Sequence, residues 1–188
     1  VPVTDRRAAH AGTVSVAITT FNRPSYCLNQ LRTIAHEEEL RKHLDTIYCT
    51  DQGTDLVQKQ DGFDEVSKDL GKQLTYIRQG NLGGSGGFSR GMYETVRAQK
   101  SDYTLLLDDD AISEPESILR AVQFADYTVR PSLIGGGMFH IDHRTVLHVQ
   151  GERFDPSSMW MYPSRGAEFN HDFRSEPLSE SPSLHSVQ

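Results

Sequence analysis

"DYTLLLDDDAISEPES", residues 102–117, runs from an apolar segment into three consecutive aspartates and out through a helix start. The stretch from Tyr103 to Leu107 reads as an apolar strand. Ser113 and Glu116 stand at capping-box spacing, with Pro115 in the first turn, where its missing N–H costs little. Adjacent carboxylates repel one another, so the order strand, acid, helix implies a positive partner at the end of the strand.

The same strand-to-helix order recurs upstream. "GTVSVAITTFNRP" places Val14, Val16 and Ile18 in a first strand that ends in the turn residues Asn22, Arg23 and Pro24. "SYCLNQLRTIAHEEELRKHL" puts Leu28, Leu31, Ile34 and Ala35 on one helical face, with Ser25 as its expected cap. "DTIYCTDQGTD" and "QLTYIRQG" read as two more strands. The glycine-rich "NLGGSGGFSRG" reads as a loop, and the helix "FSRGMYETVRAQK" follows it. Strand and helix alternate from residue 14 to residue 130, which predicts an α/β sandwich with a mainly parallel central sheet. From Leu133 the texture changes, and "LIGGGMFHID" and "RTVLHVQGE" are expected as two strands around a His-Arg-Thr turn. Residues 1–174 are expected to form the core and the polar, Ser/Pro-rich residues 175–188 a flexible tail or a truncated loop.

With 188 residues, 36% apolar and 24% charged, the composition is that of a globular domain. The formal net charge of −7 argues against a nucleic-acid backbone as partner. No window approaches the ~20 apolar residues of a membrane span, and "VPVTDRRAAHAG" has no apolar signal-peptide core, so a cytoplasmic location is expected. Cys27 and Cys49 lack Cys-x-x-Cys spacing and read as small buried side chains.

In open α/β sheets, ligands bind beyond the carboxyl ends of the strands. Those positions are Thr20 to Arg23, Asp51 to Gly53, Asn81 to Gly87, and Asp108 to Asp110. A solvated strand end would use one or two carboxylates beside a helix N-terminus. A third favours a divalent cation, because hard Mg²⁺ or Mn²⁺ takes carboxylate oxygens and bridges to a diphosphate. On extended backbone Asp108 and Asp110 point one way and Asp109 the other. The glycine loop is neither a Walker A motif nor a dinucleotide fingerprint, but its bare backbone lets a ligand come close. Arg90 reads equally as a phosphate contact and as a surface arginine. His140, Asp142 and His143 read as polar turn residues rather than metal ligands. His148 is a candidate site residue, and Trp160 is either core or an aromatic platform for a sugar.

Five segments together carry a resemblance: "VSVAITTFNRP", "DQGTD", "NLGGSGGFSRGMYE", "LLLDDDAISEPESILR" and "LHVQGE…MWMYPSRGAEFNHDF". They resemble the cell-wall galactofuranosyltransferases of the galactan-polymerising type, inverting enzymes of the GT-A fold in glycosyltransferase family 2. The glycine loop and "AEFNHDF" are its most specific parts. The resemblance implies a nucleotide-diphospho-sugar transferase sandwich, a UDP-galactofuranose donor, a lipid-linked galactan acceptor and a Mn²⁺ or Mg²⁺ cofactor. It also implies a place at the inner face of the plasma membrane and leaves homo-oligomers open. It assigns Thr20, Phe21 and Arg23 to the uridine and diphosphate, and Asp51 and Gln52 to the uracil side. Asn81, Gly83 and Gly84 lie along the donor. Asp108 and Asp109 lie near the ribose and metal, with Asp108 and Asp110 as metal ligands. His148 and Trp160 fall on the acceptor or sugar side. The family's acidic general base and a histidine metal ligand are expected downstream of Gln188. Alternative readings are a nucleotide-sugar-binding module without turnover and another family 2 glycosyltransferase. A sugar-nucleotide pyrophosphorylase is disfavoured, because "TTFNRP" stands where its Arg- and Lys-containing glycine loop would follow the first strand.

Overall fold

A computed structural model describes residues 10–163 and 169–177. They fall into two compact units divided between Ser132 and Leu133. No helix among the described residues is long and apolar enough to cross a membrane.

The first unit is built on a four-stranded parallel sheet in the order β3-β2-β1-β4. The strands are β1 (Val14–Thr20), β2 (Leu44–Asp51), β3 (Leu74–Arg78) and β4 (Tyr103–Asp108). All seven residues of β1 are buried, as a central strand covered on both faces requires. At the sheet edge, β4 alternates instead: Leu105 and Leu107 face the core, while Leu106 is exposed. Helices α1 (Pro24–Ala35), α3 (Phe63–Leu70) and α5 (Pro115–Tyr127) contribute Leu28, Leu31, Ile34, Phe63, Val66, Leu70, Ile118 and Val122 to the same core as Val16, Ile18, Ile47 and Cys49. Each such large apolar side chain contributes roughly 1.5–3 kcal/mol by leaving water. Cys27 and Cys49 are fully buried free thiols with their Sγ atoms 3.5 Å apart.

Several helix boundaries differ from expectation. The long first helix divides into α1 and α2 (Glu38–His43). Three glutamates, Glu37 to Glu39, are unfavourable at the negative end of one helix dipole and favourable at the positive end of the next. Ser25 is not the cap of α1; Arg23 takes that position and Pro24 opens the helix. Helix α3 was not anticipated, although Phe63, Val66 and Leu70 lie at helical spacing. Most consequentially, the glycine run is not a loop before a helix. Helix α4 (Gly83–Ala98) begins at its first glycine. The capping box before α5 does not form either: Glu114 is the cap residue with no side-chain bond, and the Ser113 hydroxyl accepts from Gln30 Nε2 at 3.2 Å.

The second unit contains the expected antiparallel pair, β5 (Met138–Phe139) and β6 (Val146–Val149), with β9 (His171–Asp172) on the other side of β6. A separate hairpin joins β7 (Glu152–Asp155) to β8 (Trp160–Pro163). Of the expected tail, Ser175 is tied to Asp172 through its backbone, and residues 178–188 lie outside the described residues.

Candidate functional site

Parallel strands end on one side of their sheet, and the register makes this concrete. Thr20 pairs with Asp51, Asp51 with Arg78, and Thr19 with Asp108. The strand-end clusters therefore share one rim.

At the end of β1, Thr20 is buried and Phe21 is 47% exposed. Arg23 Nη1 donates to Asp110 Oδ2, joining the β1 loop to the aspartate triplet across 87 positions of sequence. The guanidinium gives Asp110 a cationic neighbour within the chain, where the sequence led to the expectation of a divalent cation. Asp108 and Asp110 are exposed and Asp109 is half-buried, so the expected alternation holds although Asp109 and Asp110 lie in a turn. Burial, with Asp110 and Asp108 nearby, raises the Asp109 carboxyl above its ordinary value.

At the end of β2, Asp51 is fully buried. Its carboxylate accepts from the N–H groups of Gly53 and Val57, both at 2.9 Å, from Arg78 Nη1 at 2.9 Å, and from the Tyr76 hydroxyl. Burial and this bond push the Tyr76 phenol well above its ordinary value. Gln52 is nearly as enclosed. Its Nε2 donates to Thr19 Oγ1 at 3.3 Å and to the Gly83 carbonyl at 3.0 Å, while its Oε1 accepts from Leu82 N and Gln79 Nε2, both at 3.0 Å. Both side chains thus hold the rim from beneath.

The start of α4 supplies the third cluster. Asn81 Oδ1 accepts from Gly83 N at 2.9 Å, while the cap residue itself, Leu82, makes no side-chain bond. Gly83 has φ of 67°, and a Cβ at Gly83 or Gly84 would meet nothing within 4 Å. The positive end of the helix dipole over open glycine backbone favours an anion. Arg90 is committed elsewhere: its Nε donates to Glu94 at 2.9 Å.

Among the described residues no group of three or more His, Cys, Asp or Glu forms a metal cage. Asp108 and Asp110 supply two outward carboxylates. That donor set suits Mg²⁺ or Mn²⁺ where phosphate and water complete the shell. In the second unit, His148 Nδ1 and His140 Nε2 both reach Asn170 Oδ1, at 3.2 and 2.6 Å, with the two rings edge to face. Trp160 is 67% exposed on β8, so it is not a core residue. His148 and Trp160 therefore lie in different sheets of the second unit.

Two rim residues escaped the sequence reading: Arg78 and Gln79. Arg78 and Gln79 directly follow the apolar run of β3, so the strand-end rule that selected Asn81 points to them as well.

A family model described as "Glycosyltransferase like family 2" matches residues 10–181. The chain is 37% identical over 167 residues to galactofuranosyltransferase GlfT2 of Mycolicibacterium smegmatis, covering 89% of this chain and 26% of that protein. It is 36% identical over 170 residues to GlfT2 of Mycobacterium tuberculosis, covering 90% and 27% respectively. The chain thus spans about a quarter of the length of these relatives. Among solved structures, the mannosyltransferase PcManGT from Pyrobaculum calidifontis, in complex with GDP-Man and Mn²⁺, superposes with a TM-score of 0.46 at 17% identity, over 69% of this chain and 35% of that one. With a parallel sheet whose strand ends gather the motif residues, and a family match that runs through nearly all of them, this chain belongs to glycosyltransferase family 2.

Proposed function

We propose that this chain is the nucleotide-sugar-binding core of an inverting galactofuranosyltransferase, which transfers galactofuranose from UDP-galactofuranose to a lipid-linked cell-wall galactan at the inner face of the plasma membrane. The supporting observation is the ion pair between Arg23 and Asp110, on the same rim as the open backbone of Gly83 and Gly84. Identity to the two GlfT2 proteins supports the choice of sugar.

Asp108 and Asp110 are the residues that would hold Mn²⁺ or Mg²⁺. Bound there, the cation supplies Lewis-acid stabilisation of the charge on the departing diphosphate. Arg23 adds a planar guanidinium suited to phosphate oxygens. The α4 N-terminus offers backbone N–H groups to an anion, Asn81 shapes that turn, and Phe21 presents a ring face to the uridine. Displacement at the anomeric carbon requires the acceptor hydroxyl to lose its proton to a carboxylate. The rim carboxylates are unsuited to accept it, since Asp51 is saturated with hydrogen bonds, Asp109 turns inward, and Asp108 and Asp110 serve the cation. His148 and Trp160 are assigned to the acceptor or sugar side.

The test is titration of the chain with UDP-galactofuranose in Mn²⁺, followed by incubation with a synthetic galactan acceptor. Saturable donor binding that UDP competes away supports the reading. Absence of binding to both UDP and the donor, with metal present, would sink it.

A further inference from the structure

Asn22 sits between Phe21 and Arg23 with its backbone in the left-handed region, at φ of 54°. Asparagine tolerates that conformation better than most residues with a side chain. Its Oδ1 accepts from Thr54 N at 2.7 Å, Thr54 Oγ1 at 3.3 Å and Asp55 N at 3.0 Å. The loop after β1 is thereby fastened to the loop after β2. Gly53 marks how tight the crossing is, since a Cβ there would lie 2.6 Å from Asn22 Oδ1 and 2.7 Å from Asn22 N. The β2 loop is itself anchored from below. Gln52 N donates to the Thr20 carbonyl at 2.9 Å, and Asp51 accepts from Gly53 N and Val57 N.

We infer that Asn22 is a positioning residue for the diphosphate: by locking the β1 loop onto the rigid β2 loop, it aims Arg23 along the rim toward Asp110. This role rests on the reading of the rim as a donor site. It separates two functions of one short loop. Phe21 precedes the left-handed residue and faces the nucleoside. Arg23 follows it and serves the phosphates. Releasing the lock leaves the nucleoside contact in place and lets the guanidinium wander, so the loss falls on ligands that carry phosphate. A purely structural role predicts no such bias, because a softened rim would weaken nucleoside and nucleotide alike.

The side-chain chemistry selects the variants. Asn22→Gly keeps the backbone conformation and removes the acceptor. Asn22→Asp keeps the acceptor. Gly53→Ala pushes the two loops apart from the other side. Affinities for UDP and for uridine are measured by calorimetry in Mn²⁺, with melting curves confirming that each variant folds. Asn22→Gly and Gly53→Ala are expected to weaken UDP by about tenfold, as misplacement of a contact group does, and uridine by less than about twofold. Asn22→Asp is expected to stay within about twofold of the parent for both ligands. Arg23→Ala is the control: a selective loss of UDP confirms the phosphate contact itself. If Arg23→Ala is selective while Asn22→Gly weakens both ligands equally, or neither, the positioning role is overturned. It is overturned equally if Asn22→Asp behaves like Asn22→Gly. If Arg23→Ala leaves UDP affinity unchanged, the donor-site reading falls first and this inference with it.

Discussion

Gly87 and Thr19 approach so closely that a Cβ added to the glycine would fall 1.8 Å from the threonine Oγ1. One turn further along α4, a Cβ on Gly91 would fall 2.3 Å from that of Ala17. These two glycines let the helix lie directly on β1, which sets the height of its N-terminus above the rim. Gly83 and Gly84, at that N-terminus, face open space. One glycine-rich segment therefore contains residues that pack and residues that leave room.

The division predicts opposite phenotypes. Gly91→Ala should lower unfolding free energy by about 1–3 kcal/mol through overpacking. Gly84→Ala should leave it nearly unchanged and weaken UDP binding. Denaturant titration and calorimetry of the two variants would decide, and an unaltered stability in Gly91→Ala would remove the close-packing account. Gly86 belongs with the packing class, because its Cβ would stand 2.2 Å from that of Leu82.

Asp51 is fully buried while its partner Arg78 is 41% exposed on the side chain. Removing one member of a fully buried pair costs about 3–5 kcal/mol. The partial exposure of Arg78 lets water recover some of that, so Asp51→Ala is expected to cost about 2–4 kcal/mol. The measurement is equilibrium unfolding. A change near zero would mean that the hydrogen bonds to Gly53, Val57 and Tyr76 do not organise the β2 loop.

Glu94 gives a pH signature. Burial pushes its carboxyl up, but hydrogen bonds from Arg90 and Arg97 outweigh this and hold it below the ordinary value of 4.5. A depressed folded-state value adds stability that is complete above the unfolded value and disappears as pH falls through the folded one. Glu94→Gln removes the contribution. The melting-temperature gap between parent and variant should therefore be constant near neutrality and shrink below the 4.5 of the unfolded chain. A gap that persists unchanged into stronger acid would contradict the assignment.

Divalent cation should strengthen UDP binding, because Asp108 and Asp110 otherwise repel the diphosphate. Asp108→Asn should reduce that enhancement, weakening UDP binding in Mn²⁺ while leaving binding in chelator unchanged or slightly stronger. Calorimetry in Mn²⁺ and in chelator provides the comparison, and equal affinities in the two conditions would remove the two aspartates from the metal assignment.

Much of the fold was legible because it depends on short-range pattern. β1 and β2 are runs of apolar and β-branched residues, as strands buried on both faces are, and α1 presents Leu28, Leu31 and Ile34 at helical spacing. The triplet Asp108 to Asp110 stood out because the cost of adjacent carboxylates is visible without coordinates. The glycines were not legible as a helix, since their low helix propensity, about 1 kcal/mol each, is offset at Gly87 and Gly91 by contacts with β1.

Sequence alone thus determined the alternation of strand and helix and the parallel sheet, and it singled out the strand-end residues as candidates, because hydrophobic periodicity and charge repulsion act between near neighbours along the chain. Only the tertiary structure decided that Arg23 meets Asp110, that Asp51 is enclosed by Tyr76 and Arg78, and that Asn22 closes over Gly53. Those partners are set by the register of neighbouring strands and by the heights at which their loops cross. A shift of one residue in pairing would turn Asp51, Tyr76 or Arg78 to the other face of the sheet and move the loops that follow, and no local pattern records that choice.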